Sequence, residues 1–472
     1  MTRSRFAQFV VFSSLTVSSA SCAYWSDNGA KKVEAAPKIA TEAASSPVSP
    51  SPQKPVADDV VRLVGSTTIG SRLAPNMVVA YLGSIGAKDV TTRPAPVGTN
   101  HFTISAKVDS KPVTFEIDFP GSGAAFDCLG EGKCDIGMSS RPIQAEEAEK
   151  LKPLGDMTDD ASEHVLAMDG LAVVVGRNNP IAKLTVAQVG QIFAGETKSW
   201  SQVGGVGGDI HVVARDKTSG TYDTFSHLAL GGRDVTPRAK VVETNEAVAK
   251  AVASDDAAIG FVALPYVAGT KPLLLQDGVA AALAPTVLNV GTEDYAFARR
   301  LFFYTPSAPK SPLAQKLVEF ALSDAGQAIV EETGFVSLNV RSSSVAAPTD
   351  APPAYVKATG GAQRLTFNFR FKGSTAKLDP RSVKDLERMA RFIKVASSNA
   401  RSVALLGFTD NQGPEPKNVE LSRQRATAIA EQLRGRGIEP QVVDGFGSAL
   451  PVAPNDTPRG RSRNRRIEVW LR

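Results

Sequence analysis

The middle of the chain alternates short apolar runs with amphipathic stretches. Apolar runs of strand length cover residues 60–64, 113–119 and 210–214. Residues 311–322 and 324–332 instead repeat apolar positions at helical spacing, which predicts two amphipathic helices. Each of the three strands is followed by a polar loop and a helical stretch. The pattern therefore predicts an α/β fold, in which ligands bind at the carboxyl ends of strands.

Three of these strand–loop–helix junctions carry small hydroxyl residues and glycines. They are Thr67 and Thr68 after the first strand, Ser122 after the second, and Ser219, Gly220 and Thr221 after the third. A helix start offers free N–H groups and the positive end of the helix dipole, so it suits an anion. Arg215, just before the third loop, adds a fork of donors suited to a tetrahedral oxyanion. The alternative is ordinary helix capping, with Arg215 on the surface.

A fourth element, residues 134–142, is predicted as a strand that ends in Ser139, Ser140 and Arg141. The two serines are further candidates for anion binding, and Arg141 is either an added cation or a surface residue. A different class is a phosphatase-like hydrolase with Ser219 or Thr221 as nucleophile. The histidines argue against a hydrolase, because none of them belongs to a recognisable base–nucleophile or metal motif. They are His101, His164, His211 and His227. We expect a binding protein with no catalytic residue, no metal and no cofactor.

The last quarter of the chain has its own pattern. An alternating strand is predicted at residues 365–371, a helix capped by Asp379, a buried strand at 403–408 and a long helix at 418–433. Asp410 follows the buried strand, and Arg425 lies near the start of the long helix. A carboxylate and an arginine so placed can hold a zwitterion, although an internal salt bridge is the plainer interpretation.

Composition and charge agree with several globular domains. Of the 472 residues, 42% are hydrophobic and 21% are charged. Residues 361–472 carry 21 Lys and Arg against 11 Asp and Glu, whereas the whole chain carries 53 against 48. A polyanionic partner would therefore meet the C-terminal end. We do not expect nucleic acid, because the chain begins with an export signal.

The first residues are typical of a signal peptide. Arg3 and Arg5 precede an apolar stretch at residues 6–17 and small residues up to Cys22. Cleavage before Cys22 would leave a lipidated cysteine, and the alternative is ordinary cleavage after Ala23. Residues 23–57 are rich in Ala, Ser, Pro and Lys, which predicts a disordered linker. No other stretch is long and apolar enough to span a membrane.

Cys128 and Cys134 are the remaining two of three cysteines. An exported protein meets an oxidising compartment, so a disulfide between them is expected. The alternative is two free buried thiols.

Residues 58–340 resemble the PstS-like phosphate-binding proteins of ABC transporters. The motifs that carry the resemblance are Gly65-Ser-Thr-Thr, Gly121-Ser-Gly, Asp135-Ile-Gly-Met-Ser-Ser-Arg and Arg215 with Ser219-Gly-Thr. The resemblance implies the bilobed, type II-like fold of periplasmic binding proteins, a phosphate in the cleft and an ABC permease as partner. By motif position it assigns phosphate to Thr68, Ser122, Arg215 and residues 219–221. The transport proteins have an Asp where this chain has Ser140, so weaker rejection of sulfate is expected.

Residues 361–472 resemble the OmpA-like peptidoglycan-binding domain, a small α+β fold. T-D-x-x-G, N-x-x-L-S-x-x-R-A and G-R-x-x-N-R-R-I-E occur in that order. The resemblance implies that Asp410 and Arg425 grip the amine and carboxylate of diaminopimelate in a stem peptide. Asn418, Leu421 and Arg466 match framing positions.

Together these patterns predict an exported two-domain binding protein. Residues 1–22 are expected to be the signal, 23–57 a linker, 58–340 the phosphate-binding domain, 341–360 a second linker and 361–472 the OmpA-like domain. The expected location is the periplasm or cell envelope of a Gram-negative bacterium, with an outer-membrane lipoprotein as one form. A purely structural wall anchor without ligand is the third alternative.

Overall fold

We describe a computed structural model of the chain over residues 59–94, 100–217, 219–372, 375, 377–396 and 402–472. The predicted signal peptide, the lipidation site Cys22 and the first linker lie outside the described residues.

Within the described residues, the strands form two main sheets and one small pair. Those of the first domain are β1 (Asp59–Gly65), β2 (Lys88–Pro94), β3 (His101–Val108), β4 (Lys111–Asp118), β5 (Ile136–Ser139), β6 (Glu163–Val175), β7 (Lys183–Thr185), β8 (His211–Arg215), β9 (Lys240–Val242), β10 (Ala258–Ala263), β11 (Lys271–Pro272), β12 (Leu274–Gln276) and β13 (Ala298–Tyr304). Those of the C-terminal sheet are β14 (Ser342–Ser344), β15 (Gln363–Arg370), β16 (Val403–Phe408), β17 (Pro440–Gly445) and β18 (Arg466–Leu471).

The helices alternate with these strands. They are α1 (Ala74–Ser84), α2 (Ser122–Gly130), α3 (Ala145–Lys150), α4 (Val186–Phe193), α5 (Gly220–Phe225), α6 (Asn245–Ala253), α7 (Val287–Gly291), α8 (Pro312–Leu322), α9 (Asp324–Glu332), α10 (Pro353–Thr359), α11 (Pro380–Ala396), α12 (Glu415–Arg434) and α13 (Pro458–Asn464). Short π-helical turns at Ile69–Leu73 and Ser226–Leu230 adjoin α1 and α5. The strands and helices predicted around the three loops are confirmed.

The large sheet runs through both lobes of the first domain in the order β2-β3-β4-β1-β5-β13-β6-β10-β8-β9. β1 lies parallel between β4 and β5, and β8 lies parallel to β10. The antiparallel strands β13 and β6 occupy the middle and connect the halves. One core packs around β1, β4, α1 and α8, and another around β6, β8 and α4. The parallel strands therefore end beside one another at the cleft, which brings their loops together.

The C-terminal sheet has the order β14-β15-β18-β16-β17. Along β16, Val403 and Leu405 join a core with α11 and α12, whereas Leu406 and Phe408 pack with Tyr355 of α10 on the other face. Residues 341–360, expected as a linker, therefore supply a strand and a helix to this domain.

Ion pairs and hydrogen bonds join the C-terminal domain to the first one. Arg300 lies 2.7 Å from Asp379, and Arg381 lies 2.8 Å from Glu293. Asp379 also caps α11 as predicted, since its Oδ1 accepts from the N–H of Ser382 at 2.8 Å. The two domains are packed together rather than held apart by a flexible segment.

Candidate functional site

The loops after β1 and β8 meet around a small cavity of about 150 Å³, here called the loop pocket. Predicted residues on its wall are Thr68, Arg215, Ser219, Gly220 and Thr221, and they are joined by Arg72, Asp169, Asn245 and Tyr266. β8 ends at Arg215 and α5 begins at Gly220, so the strand–loop–helix junction brings Arg215, Ser219 and Thr221 to the wall of the loop pocket.

Ser219 caps α5. Its Oγ accepts from the N–H groups of Thr221 at 3.2 Å and Tyr222 at 3.4 Å. Gly220 faces Thr68 so closely that a Cβ there would lie 2.7 Å from both the Cα and the Oγ1 of Thr68. Thr68 donates its hydroxyl hydrogen to Gly220 O at 3.2 Å. The loops of the two lobes therefore touch, and only glycine fits at the contact.

Arg215 places a positive charge on the wall of the loop pocket. Its side chain is 13% exposed, and the nearest carboxylate oxygen, on Asp216, is 3.7 Å away. Its Nε is buried and has no hydrogen-bond partner among the described residues. Burial lowers the pKa of Arg215, yet a guanidinium stays protonated in proteins. A buried donor without a partner is costly, so the geometry favours an anionic ligand here.

Arg299 is a pocket-side residue that the sequence analysis missed. From β13, its Nη2 donates to Thr68 Oγ1 at 2.7 Å and its Nε donates to Asp169 Oδ2 at 3.1 Å. Nη2 also lies 3.4 Å from Gly220 O. Arg299 thus ties the two loops to the connecting strands and neutralises the carboxylate of the pocket. The only signal in the sequence is a pair of arginines at the start of an otherwise apolar strand.

The other predicted phosphate residues lie elsewhere. Thr67 Oγ1 donates to Phe119 O at 3.2 Å, and Ser139 Oγ donates to Arg141 O at 2.7 Å. Ser122 and Ser140 hydrogen-bond each other through their hydroxyls at 3.1 Å. Ser140 faces a second, larger cavity rather than the loop pocket. This part of the predicted set is therefore not gathered around the loop pocket.

The second cavity, here called the junction cavity, has a volume of about 560 Å³ and lies between the first domain and the C-terminal domain. Its wall includes Ser140, Arg141 and Arg299 from one side and Arg370 and Arg459 from the other. Arg141, which the sequence left undecided, is held by Glu147 at 2.6 Å.

The predicted diaminopimelate grip also has a defined geometry. Asp410, 9% exposed, follows β16 and accepts from Arg465 Nη1 at 2.7 Å. Arg425 lies on α12 with its guanidinium 5.0 Å from the centre of the Phe371 ring, and its Nη2 donates to Thr375 O at 3.3 Å. Burial lowers the pKa of Arg425; the charge of Arg465 lowers it further, and that of Asp410 raises it. The carboxylate of Asp410 and the guanidinium groups of Arg425 and Arg465 therefore lie close enough to interact electrostatically.

The framing residues divide by exposure. Leu421 is 39% exposed, whereas Asn418 is buried and donates to Gly413 O at 3.5 Å. Arg466 is buried, binds Glu468 at 2.8 Å and stacks on Phe408 at 4.0 Å, so it supports the sheet. Sequence reasoning assigned Arg466 and missed Arg465, the neighbour in the same motif that reaches Asp410.

The predicted disulfide and the histidines lie away from the loop pocket. The structure pairs Cys128 with Cys134, with Cα atoms 5.7 Å apart, a distance typical of disulfides. Three histidines have partners away from the loop pocket: His101 with Asp118, His164 with Thr305 and His211 with Asp255. Within the described residues, no helix combines the length and apolarity needed to cross a bilayer, and no cluster of His, Cys, Asp and Glu is arranged for a metal.

Two α/β lobes joined by crossing strands, with an arginine-lined pocket between their loops, define a bilobed substrate-binding protein. The sequence profile of the PBP superfamily domain matches residues 90–325, half of the chain, and the chain therefore belongs to that superfamily. The profile of the OmpA family matches residues 370–465. The predicted combination of a binding-protein fold with a C-terminal OmpA-like domain is confirmed, and so is its assignment to binding proteins rather than enzymes.

Named relatives match more than half of this chain. The phosphate-binding protein PstS of Staphylococcus epidermidis is 28% identical over 295 residues, which are 58% of this chain and 88% of that protein. The PstS of Staphylococcus aureus is 27% identical over 292 residues, with the same coverage of 58% and 88%. A crystal structure of an ABC-type phosphate transport receptor from Vibrio cholerae is 25% identical, covers 58% of this chain and 99% of its own, and has a TM-score of 0.46.

Proposed function

We propose that the chain binds inorganic phosphate, or a similar oxyanion, in the loop pocket. The observation that carries this proposal is the buried Nε of Arg215, which has no partner among the described residues and lines a pocket with Ser219, Gly220 and Thr221. Arg72 adds a second cation to the wall, and Asp169 is already neutralised by Arg299. The pocket is thus net positive, small and rich in donors, which are the requirements for a tetrahedral anion. The names of the staphylococcal relatives support phosphate as that anion.

The C-terminal domain, in this proposal, holds the protein to peptidoglycan. Asp410 receives the ammonium of a diaminopimelate-containing stem peptide and Arg425 receives its carboxylate. Asp410 accepts from Arg465 Nη1 at 2.7 Å, so in this proposal the ligand's ammonium takes the place of Arg465 at the carboxylate. We place the protein in the periplasm or cell envelope of a Gram-negative bacterium, after export, with an ABC permease as the acceptor of its phosphate.

Calorimetry on the purified exported chain tests the phosphate site. Wild-type protein should release or absorb heat with phosphate, and Arg215→Ala should lose about 2–5 kcal/mol of binding free energy, a loss of about thirtyfold or more in affinity. Lys217→Ala is the matched control. Lys217 is a cation of the same loop, but it is 71% exposed and pairs with Asp234. Equal affinities for Arg215→Ala and wild type would refute the site.

Sulfate is the informative competitor. The expected weak rejection of sulfate rested on Ser140, which faces the junction cavity. The loop pocket has Asp169 instead, but Arg299 engages its Oδ2 and offsets its charge. We therefore still expect sulfate to bind. A strict phosphate-only response would show that Asp169 repels a fully ionised anion despite Arg299.

Sedimentation with isolated peptidoglycan tests the wall site. Asp410→Ala and Arg425→Ala should each remain in the supernatant, because removing one partner of a partly buried charge pair typically costs about 2–5 kcal/mol. Arg423→Ala is the control, since Arg423 lies on the same helix but is 50% exposed and pairs with Asp444. Continued sedimentation of the double variant at moderate salt would favour a basic patch over a specific pocket.

A further inference from the structure

The junction cavity is built by both domains. The first domain contributes the turn at Ser140 and the start of β13, and the C-terminal domain contributes the end of β15 and the helix α13. Its volume of about 560 Å³ falls in the range of small-molecule sites, about 300–1,000 Å³. A protein that has only the first domain lacks the part of this wall that β15 and α13 supply.

Arginines outnumber acids on the wall. The basic residues are Arg141, Arg299, Arg300, Arg370, Arg459 and Arg463, and the acidic ones are Glu163, Glu293 and Asp379, with His227 beside them. The acids are already engaged. Arg300 binds Glu293 and Asp379, and the Tyr304 hydroxyl donates to Glu163 at 3.0 Å. Three of the arginines pair with acids outside the wall: Arg141 with Glu147, Arg299 with Asp169 and Arg463 with Asp277. The positive charge that remains unbalanced is therefore confined to Arg370 and Arg459.

Arg370 and Arg459 have the weakest charge compensation on the wall. Arg370 is 4% exposed, and its Nη1 and Nη2 donate to the carbonyl oxygens of Ser462, Arg463 and Thr292. Its Nε has no hydrogen-bond partner among the described residues and lies 3.6 Å from Glu293, whose carboxylate also engages Arg300 and Arg381. Arg459 donates to the carbonyl oxygens of Ala296 at 3.3 Å and Ala298 at 3.1 Å. In the described part of the chain, Arg459 forms no ion pair with a carboxylate. A buried guanidinium nitrogen without an acceptor indicates an anionic ligand.

The rest of the wall is apolar. Leu228, Phe302 and Phe371 line the cavity together with proline and alanine side chains. An inorganic ion would leave this surface uncovered, whereas an organic body would bury it.

We propose that the junction cavity binds a small organic anion. A compact acid group, phosphate or carboxylate, is held by Arg370 and Arg459, and an apolar body lies against Phe302 and Phe371. Because both domains line the cavity, this ligand strengthens the contact between the substrate-binding domain and the C-terminal domain. The site adjoins the loop pocket at Arg299, but Arg370 and Arg459, which hold the acid group, do not line the loop pocket.

The test uses phenyl phosphate and phenylacetate as probes of the two acid groups. Each is titrated into the full chain in a calorimeter without inorganic phosphate, and Arg215→Ala removes the contribution of the loop pocket. At least one probe should bind saturably, with the same affinity in wild type and Arg215→Ala. Stronger binding of phenyl phosphate would identify a phosphate monoester, and stronger binding of phenylacetate a carboxylate.

Two variants locate the binding. Arg459→Gln should weaken it by about tenfold or more, and the control Arg461→Gln, on the same helix but donating to Asn455 O, should leave it unchanged. Ser462→Phe adds bulk at an exposed position on the cavity wall and should block the probe without removing a charge. The proposal is overturned if neither probe binds, if Arg215→Ala loses the binding, or if both Arg459→Gln and Ser462→Phe bind like wild type.

Discussion

Glu293 holds the two domains together, and its replacement by Gln should weaken the junction. The carboxylate lies 2.8 Å from both Arg300 and Arg381 and 3.6 Å from Arg370, which belongs to the C-terminal domain as Arg381 does. Its φ is +64°, in the left-handed region. Gln keeps the same shape and backbone conformation, so Glu293→Gln removes the charge alone.

The stability lost in Glu293→Gln depends on the ion pairs that Arg300 and Arg381 retain. Breaking a buried ion pair by removing one partner typically costs about 3–5 kcal/mol. Arg300 still has Asp379 at 2.7 Å, and Arg381 still has Asp385 at 3.2 Å. The loss should therefore lie near the lower end of that range, about 3 kcal/mol of unfolding free energy. The exposed pair of Glu149 and Lys152 gives the control, and Glu149→Gln should cost about 1 kcal/mol or less.

The pH dependence gives a second check on Glu293. Burial raises the pKa of the Glu293 carboxyl, but the charges of Arg300, Arg370 and Arg381 outweigh burial and hold that pKa well below its ordinary range. A carboxyl with a depressed folded-state pKa stabilises the fold above its unfolded pKa of about 4.3 and loses that contribution as pH falls below it.

Urea unfolding of both proteins, followed by the fluorescence of Trp200 and Trp470, measures the difference. It should be full near neutral pH and should shrink at about pH 4 and below. A loss under about 1 kcal/mol, or a difference that does not change with pH, would refute the role of Glu293 as a charged junction residue.

Two further expectations concern stability. The Cys128–Cys134 disulfide should contribute about 2–3 kcal/mol on the chain-entropy model, so Cys128→Ser should have a lower melting temperature. Mass spectrometry of the unreduced purified protein checks the bond, and two free thiols at these positions would contradict it. Burial raises the pKa of Glu163 to about 7, so its neutral form stabilises the fold at low pH and this contribution is lost as pH rises through about 7. Glu163→Gln should therefore gain in melting temperature relative to wild type between about pH 5 and about pH 8, and a constant difference would contradict the shift.

Local chemistry made much of the fold predictable. The strand at residues 403–408 and the helix at 324–332 coincide with β16 and α9, because an apolar run and a 3.6-residue repeat are properties of neighbouring residues. The loop with Arg215 and Ser219 was also predictable from the sequence, since a strand, a polar loop and a helix start lie within one short segment.

Long-range packing was not predictable in the same way. Arg299 reaches Thr68 across 231 positions of sequence, and no local pattern announces that contact. Ser140 fits the phosphate motif by position, but hydrogen bonding to Ser122 places it at the junction cavity. The Ser/Pro-rich composition of residues 341–360 suggested a linker, yet burial of Tyr355 against Phe408 and Trp470 folds that segment onto the sheet.

A crystal structure of the purified protein grown with phosphate would test the phosphate site most directly. We expect tetrahedral density in the loop pocket within hydrogen-bond distance of the Arg215 guanidinium and of the loop from Ser219 to Thr221. The same crystals of Arg215→Ala should show no such density. An empty loop pocket at saturating phosphate, or phosphate held only in the junction cavity, would contradict the proposed site.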